Sequence, residues 1–169
     1  MLQRLDFLHT GINHNAPTTL ALYHSGIKIS RRNVQYQSYE FKPEEILVYL
    51  RKSRSDDPYL SVEDVLQKHE EIIREWIGRN LVHDIPAENF YREVVSGETI
   101  ADRPEFCKVL RQVESPGIKG VLVVEVQRLS RGDLEDAGRL IKILRYTHTK
   151  VITPQKIYDI EDDYDRDFF

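Results

Sequence analysis

The clearest pattern along the chain is a series of short apolar runs separated by polar segments. Ile46–Leu50 is the first, and Phe90–Val95, Val121–Val126 and Val151–Thr153 follow it. Runs of this length predict β-strands, and a continuously apolar run is typical of a strand buried on both faces. Of the four runs, Val121–Val126 gives the strongest prediction of a strand. Pro154 directly follows the last run and is expected to end that strand.

The segments between these runs have the periodicity of helices. Ser61 and Asp64 have the spacing of a capping box, which predicts a helix from that point to about residues 78–80. Its buried stripe should contain Val65, His69, either Ile72 or Ile73, and Trp76. Pro104 is favourable in the first turn of a helix, and it predicts a second helix that ends at about Val113. The periodicity of Leu134–Tyr146 predicts a third helix, which is amphipathic.

This alternation of strands and helices predicts an α/β fold with a central, mostly parallel sheet flanked by helices. Ligands of such sheets bind beyond the carboxyl ends of the strands. Two strongly charged loops, Arg51–Asp57 and Gln127–Arg131, directly follow predicted strands. We therefore expect a functional site at this edge of the sheet.

Composition restricts the classes of protein that fit. The chain has 169 residues, of which 40% are hydrophobic and 31% charged, and Cys107 is its single cysteine. These values predict one globular core and exclude an intramolecular disulfide and a cysteine-rich zinc site. No apolar run approaches the roughly 18–20 residues that span a bilayer, and the N-terminus lacks the order of a secretory signal. We expect a cytoplasmic protein with no membrane partner.

The net charge of −4 does not by itself predict a nucleic-acid-binding protein, because phosphate binding favours a basic surface. The acidic segment 159–169 contributes −5, so that the rest of the chain carries +1. A nucleic-acid function must therefore rest on specific residues.

Candidate chemistry follows the first predicted strand, where Ser53 lies among basic residues that include Arg51. A serine hydroxyl needs activation or a reactive electrophile, and arginine forks match phosphate oxygens. Arg128 and Arg131 follow another strand, and Arg103 precedes a helix. Each motif alone is also compatible with a solvated basic loop, but together they predict an oxyanion site.

These motifs resemble the signature of a known family. Tyr49–Ser53 is similar to the Tyr-x-Arg-x-Ser motif of the resolvase/invertase family of serine recombinases. Val95–Gly97, Arg103-Pro104 and Arg128–Arg131 follow in that family's order and approximate spacing, so the resemblance extends from Ile46 to about Pro154. The acidic loop and long helix of Ser53–Ile72 resemble the large serine recombinases of the integrase and conjugative-transposon type.

The resemblance implies a resolvase-like catalytic domain in which Ser53 attacks a DNA phosphate and forms a 5′-phosphoserine. The residues that match the family's active-site arginines are Arg51, Arg103, Arg128 and Arg131. They would bind the non-bridging oxygens and stabilise the transition state. Tyr49 would support the nucleophile loop, and Glu93 would orient an arginine. The resemblance implies no ATP, cofactor or metal.

Two positions depart from the family's pattern. Gln127 lies at a position where the family commonly has an aspartate. Its amide can still form a hydrogen bond with an arginine, but the charge pairing between aspartate and arginine is lost. The basic residue expected in the helix after Arg103 has no clear match among Lys108, Arg111 and Gln112.

The resemblance also implies a domain organisation and partners. Residues 1–45 form an N-terminal extension, 46–158 the catalytic domain, and 159–169 an acidic segment leading to a dimerisation helix and a DNA-binding region beyond Phe169. The expected partner is double-stranded DNA, with a homodimer bound to each site and a homotetramer in the synaptic complex.

Two alternative functions stay open. One is a catalytically degenerate DNA-binding or interaction module of the same fold, which Gln127 favours. The other is a different phosphoryl-transfer enzyme, which would need a base or metal ligands beside Ser53.

Overall fold

The computed structural model describes residues 41–52, 56–94, 99–129 and 134–169, all within the unit Ser38–Phe169. Most of the predicted N-terminal extension, up to residue 40, lies outside the described residues. A 3-10 turn at Pro43–Glu45 leads directly into the first strand.

The described residues form a five-stranded sheet. Its strands are β1 (Ile46–Arg51), β2 (Phe90–Glu93), β3 (Gly120–Leu122), β4 (Lys150–Ile152) and β5 (Ile157–Tyr158). They lie in the order β2-β1-β3-β4-β5, and every neighbouring pair is parallel except β4 and β5. The predicted central, mostly parallel sheet is confirmed, and the carboxyl ends of β1, β2 and β3 meet at one edge.

The helices are α1 (Val62–Asn80), α2 (Pro104–Val113), α3 (Leu134–Tyr146) and the short α4 (Asp163–Arg166). The capping box of α1 is confirmed, since Ser61 Oγ accepts a hydrogen bond from Asp64 N at 3.0 Å while Asp64 Oδ2 accepts from Ser61 N at 3.3 Å. α2 and α3 have the predicted bounds. No helix in the described ranges is both long and apolar enough to cross a membrane.

Helices cover both faces of the sheet because alternate residues of each strand point to opposite sides. On one face, Leu47 and Tyr49 of β1 pack in a core with residues of α2 and α3. On the other face, Val48 and Leu50 pack in a core with residues of α1. This double coverage explains why β1 is buried along its whole length.

Several sequence predictions need correction. The predicted strand Val121–Val126 is only three residues long in the sheet, and Val126 begins a 3-10 turn instead. The ladder ends because β4 stops at Ile152, whose carbonyl accepts the last bond from Val123 N at 2.9 Å. Thr153, predicted as strand, belongs to the turn that leads to the unpredicted strand β5.

The predicted buried stripe of α1 is confirmed, and the structure decides between its two isoleucines. Ile73 is buried, whereas Ile72 is 45% exposed. The predicted end of the second strand needs correction. β2 ends at Glu93, before the predicted Val95.

The acidic segment after β5 has two buried residues, Ile160 and Asp165. Ile160 is buried in the core shared with α2 and α3. Asp165 is also buried, accepts a hydrogen bond from Asp159 N at 3.0 Å and pairs with Lys156. These two residues therefore anchor the acidic segment to the packed domain.

Candidate active site

Three arginines lie buried at the carboxyl edge of the sheet. Arg51 ends β1, Arg103 is the N-cap of α2, and Arg128 lies in the 3-10 turn after β3. Their exposed fractions are 1%, 0% and 4%. Arginine is seldom buried to this extent without partners, so the contacts of each guanidinium define the site.

Arg51 is bound by main-chain carbonyls. Its Nε donates to Arg128 O at 2.9 Å and its Nη2 to Gln127 O at 3.0 Å. A third bond runs from Nη1 to Lys52 O at 3.3 Å. The guanidinium therefore joins the end of β1 to the turn that follows β3.

Arg103 reaches the same turn from the other side. Its Nη1 donates to Leu129 O at 2.9 Å and its Nε to Thr99 O at 3.1 Å. Its guanidinium lies 5.1 Å from the ring centre of Phe106, and Nη2 has no hydrogen-bond partner among the described residues. Arg51 and Arg103 together thus bind the consecutive carbonyls of Gln127, Arg128 and Leu129.

Arg128 is held by carboxylates instead. Its Nη1 and Nη2 donate to the two oxygens of Asp56 at 2.7 and 3.1 Å, and Nη2 also donates to Glu125 at 3.0 Å. Behind Asp56, His69 of α1 places Nε2 at 3.3 Å from Asp56 Oδ1. Burial, followed by the positive charge of Arg128, lowers the pKa of His69, which favours a neutral imidazole.

Tyr49 is completely buried beneath this edge. Its ring centre lies 4.8 Å from that of Phe106, and its hydroxyl has no hydrogen-bond partner among the described residues. Burial, followed by the charge of Glu93, raises the pKa of Tyr49, so the phenol stays protonated. The ring of Tyr49 packs within the α2 side of the core, while the charges of Glu93, Arg103 and Arg51 act on its hydroxyl.

Glu93 ends β2 and has partners that differ from the expectation. Its Oε2 accepts hydrogen bonds from Glu105 N at 3.0 Å and Phe106 N at 3.2 Å, in the first turn of α2. Burial raises its pKa. Within the described residues its carboxylate caps a helix and makes no hydrogen bond to an arginine.

The remaining predicted residues fall into two groups. Gln127 contributes its carbonyl to Arg51, while its side chain is exposed. Ser53, Arg131 and the Ser96-Gly97 pair lie outside the described residues. Among the described residues, no group of three or more His, Cys, Asp or Glu side chains could hold a metal ion.

Sequence reasoning missed Asp56 and His69. The available signals were an acid three residues after Ser53 and a histidine within an otherwise apolar helical stripe. Neither signal identifies Arg128 as the partner of Asp56, because that contact spans 72 residues of sequence.

Comparison with known proteins places the chain among proteins of this architecture. The N-terminal catalytic domain of TP901-1 integrase has a similar structure, with a TM-score of 0.51 and 14% identity over 73% of this chain and 86% of that one. The C-terminal catalytic domain of ISC1926 TnpA, an IS607-like serine recombinase, matches with a TM-score of 0.45 and 18% identity over 64% of this chain and 68% of that one. The first likeness supports the resolvase-like catalytic fold.

A family model described as the resolvase N-terminal domain matches residues 46–169. This match contains every described strand and helix of the sheet domain, together with all the candidate site residues. The chain belongs to the resolvase N-terminal domain family.

Proposed function

We propose that this chain is the catalytic part of a site-specific DNA recombinase that cuts and rejoins DNA through Ser53. The observation that carries the proposal is the convergence of two buried arginines on three consecutive carbonyls, from Gln127 to Leu129. It brings the ends of β1 and β3 and the start of α2 together, where the family motifs are concentrated.

The reaction is a transfer of one phosphoester bond. Ser53 Oγ attacks the scissile phosphorus, a new P–O bond forms, and the bond to the 3′ oxygen breaks. The serine gives up its proton and the departing 3′ oxygen gains one. The product is a 5′-phosphoserine, which keeps the bond energy, so that a 3′-hydroxyl from another strand can reverse the step without ATP.

The arginines have two different tasks in this proposal. Arg51 and Arg103 hold the main chain at the edge of the sheet, because their guanidiniums are bound by carbonyls. Arg128 and Arg131 supply the positive charge that faces the phosphate. Such preorganised charge is worth most in a site from which water is excluded.

The proposed partners follow from this chemistry. The substrate is double-stranded DNA, bound by a homodimer on each site and joined in a synaptic homotetramer, in the cytoplasm. Because the net charge of this chain is −4, its binding of DNA must depend on specific residues and not on a general positive charge.

Covalent trapping tests the proposal. Full-length protein is incubated with DNA from the ends of its own element, and a denaturing gel is searched for a protease-sensitive, 5′-linked protein–DNA adduct. Wild type should form the adduct and Ser53→Ala should not. Ser115→Ala is the matched control, because Ser115 is an exposed residue after α2, and it should behave as wild type.

A second candidate function is a non-catalytic DNA-binding or interaction module of the same fold. Gln127 favours it, because the exposed amide offers no charged partner to an arginine. Binding of the same DNA by wild type without any adduct would support this alternative. Replacement Gln127→Asp should then be examined for a gain of adduct.

A further inference from the structure

Asp56 is a largely buried carboxylate to which the proposed mechanism gives no task. Both of its oxygens accept hydrogen bonds from Arg128, at 2.7 and 3.1 Å. The exposed fractions of the two side chains are 11% for Asp56 and 5% for Arg128. A two-pronged pair of this kind fixes the plane of the guanidinium as well as its distance.

His69 supports the carboxylate from α1. Its Nε2 lies 3.3 Å from Asp56 Oδ1, and its Nδ1 is buried without a hydrogen-bond partner among the described residues. A neutral imidazole with its proton on Nε2 explains both facts, because it donates to Asp56 and leaves only an acceptor unpaired. The carboxylate then keeps its full charge for Arg128.

Ser53 lies between two residues of this cluster in the sequence. Arg51 is two residues before it, and Asp56 is three residues after it. Arg51 binds the carbonyls of Gln127 and Arg128, whereas Asp56 binds the side chain of Arg128. The two ends of the segment that contains Ser53 are thus tied to the same turn.

We propose that Asp56, supported by His69, is a positioning residue that fixes the orientation of the Arg128 guanidinium at the carboxyl edge of the sheet. The proposal rests on the recombinase function proposed above. Asp56 acts through Arg128 and does not itself touch the phosphate. The ion pair with Asp56 orients Arg128 before DNA binds. The arginine therefore needs no rearrangement when DNA arrives.

The same contact could have the opposite effect, in which Asp56 competes with a DNA phosphate for the guanidinium of Arg128. A carboxylate and a phosphate can occupy the same arginine fork, so Asp56 could instead exclude DNA until it is displaced. The two possibilities predict effects of opposite sign. Removal of a positioning carboxylate slows cleavage, whereas removal of a competitor raises DNA affinity or speeds cleavage.

The test measures the rate of adduct formation separately from DNA affinity. Full-length wild type, Asp56→Asn, Asp56→Glu and the control Asp57→Asn are compared in single-turnover reactions with saturating DNA from the element's ends. Asp57 has the same charge as Asp56 and is its neighbour in sequence, but it is exposed, and its carboxylate accepts a local hydrogen bond from Tyr59 N. We expect Asp56→Asn to slow adduct formation by about 10- to 100-fold with less than about a threefold change in affinity.

The other variants complete the test. Asp56→Glu keeps the charge and should recover part of the rate, and Asp57→Asn should match wild type. If Asp56→Asn does not fold, His69→Gln replaces it, with an expected slowing of about 3- to 10-fold at unchanged affinity.

Two results would overturn the proposal. An unchanged rate in folded Asp56→Asn shows that Arg128 needs no positioning, and a higher rate or affinity shows competition. In both cases wild type still forms the adduct, so the recombinase function stands. Failure of wild type itself to form an adduct is a different result, which removes the recombinase function and this inference together.

Discussion

Arg128 and Asp56 lie 72 residues apart in sequence, yet two hydrogen bonds of 2.7 and 3.1 Å join them in the structure. The pair connects the turn after β3 with the segment that leads into α1. Because both side chains are largely buried, each charge is stabilised by the other, in addition to the contacts of Arg128 with Glu125 and of Asp56 with His69.

This dependence predicts strong coupling in stability. Arg128→Gln alone should lower the free energy of unfolding by about 3–5 kcal/mol, because it leaves a buried carboxylate without its main partner. The double variant Asp56→Asn/Arg128→Gln should lose less than the sum of the two single variants, by about 1–3 kcal/mol. Chemical denaturation of all four proteins measures this coupling, and additive losses would contradict it.

Arg51 should matter for stability even without DNA. Arg51→Lys keeps the charge but cannot donate to the carbonyls of Gln127 and Arg128 together, because lysine lacks the fork. We expect a loss of about 2–4 kcal/mol in the free energy of unfolding. The same replacement at the exposed Arg111 is the control and should change stability little. If Arg51→Lys lowers the free energy of unfolding no more than the same replacement at Arg111, Arg51 does not hold the turn at Gln127–Leu129.

Ser61 tests the start of α1. Its hydroxyl accepts a hydrogen bond from Asp64 N, so Ser61→Ala leaves that N–H without its cap. The free energy of unfolding should fall by about 1 kcal/mol. Ser115→Ala removes a hydroxyl after α2 and should cost less in the same denaturation experiment, since its bond to Arg111 O is long at 3.4 Å.

Glu93 should give a pH-dependent difference in stability. Burial raises its pKa in the folded protein, so its contribution to stability is present below its ordinary pKa and is lost as the pH rises through the folded value. Glu93→Gln retains an oxygen for the two N–H groups of α2 and removes this titration. The stability of the variant relative to wild type should therefore be more favourable at pH 7 than at about pH 4.

Denaturation of both proteins at the two pH values measures the difference, and carboxylates common to both cancel in it. Glu114→Gln, at an exposed position, is the matched control. A relative stability that does not change with pH, or that changes in the opposite direction, would refute the proposed effect of burial on Glu93.

The chemistry of local segments accounts for much of what could be predicted. The capping box at Ser61, Pro104 at the start of α2 and the periodicity of Leu134–Tyr146 each act within a few residues. The predicted helices consequently begin and end close to the observed bounds. The apolar runs likewise indicated burial correctly, because the residues around Val123 are buried even where the strand has ended.

The length of a strand and the partners of a buried arginine depend on distant parts of the chain. β3 is short because β4 beside it ends at Ile152. The guanidiniums of Arg51 and Arg103 bind carbonyls that are 77 and 26 residues away, which only the order of the strands brings near.

By itself, the sequence determined the α/β class, the bounds of α1, α2 and α3, and the placement of Arg51 and Arg128 after strands, since these follow from periodicity and local capping. Only the tertiary structure decided that Arg51 and Arg103 hold the turn at Gln127–Leu129 and that Asp56 and His69 belong to the site of Arg128. The physical reason is that a buried charge binds whichever acceptors the packed sheet places around it, and residue type alone does not specify them.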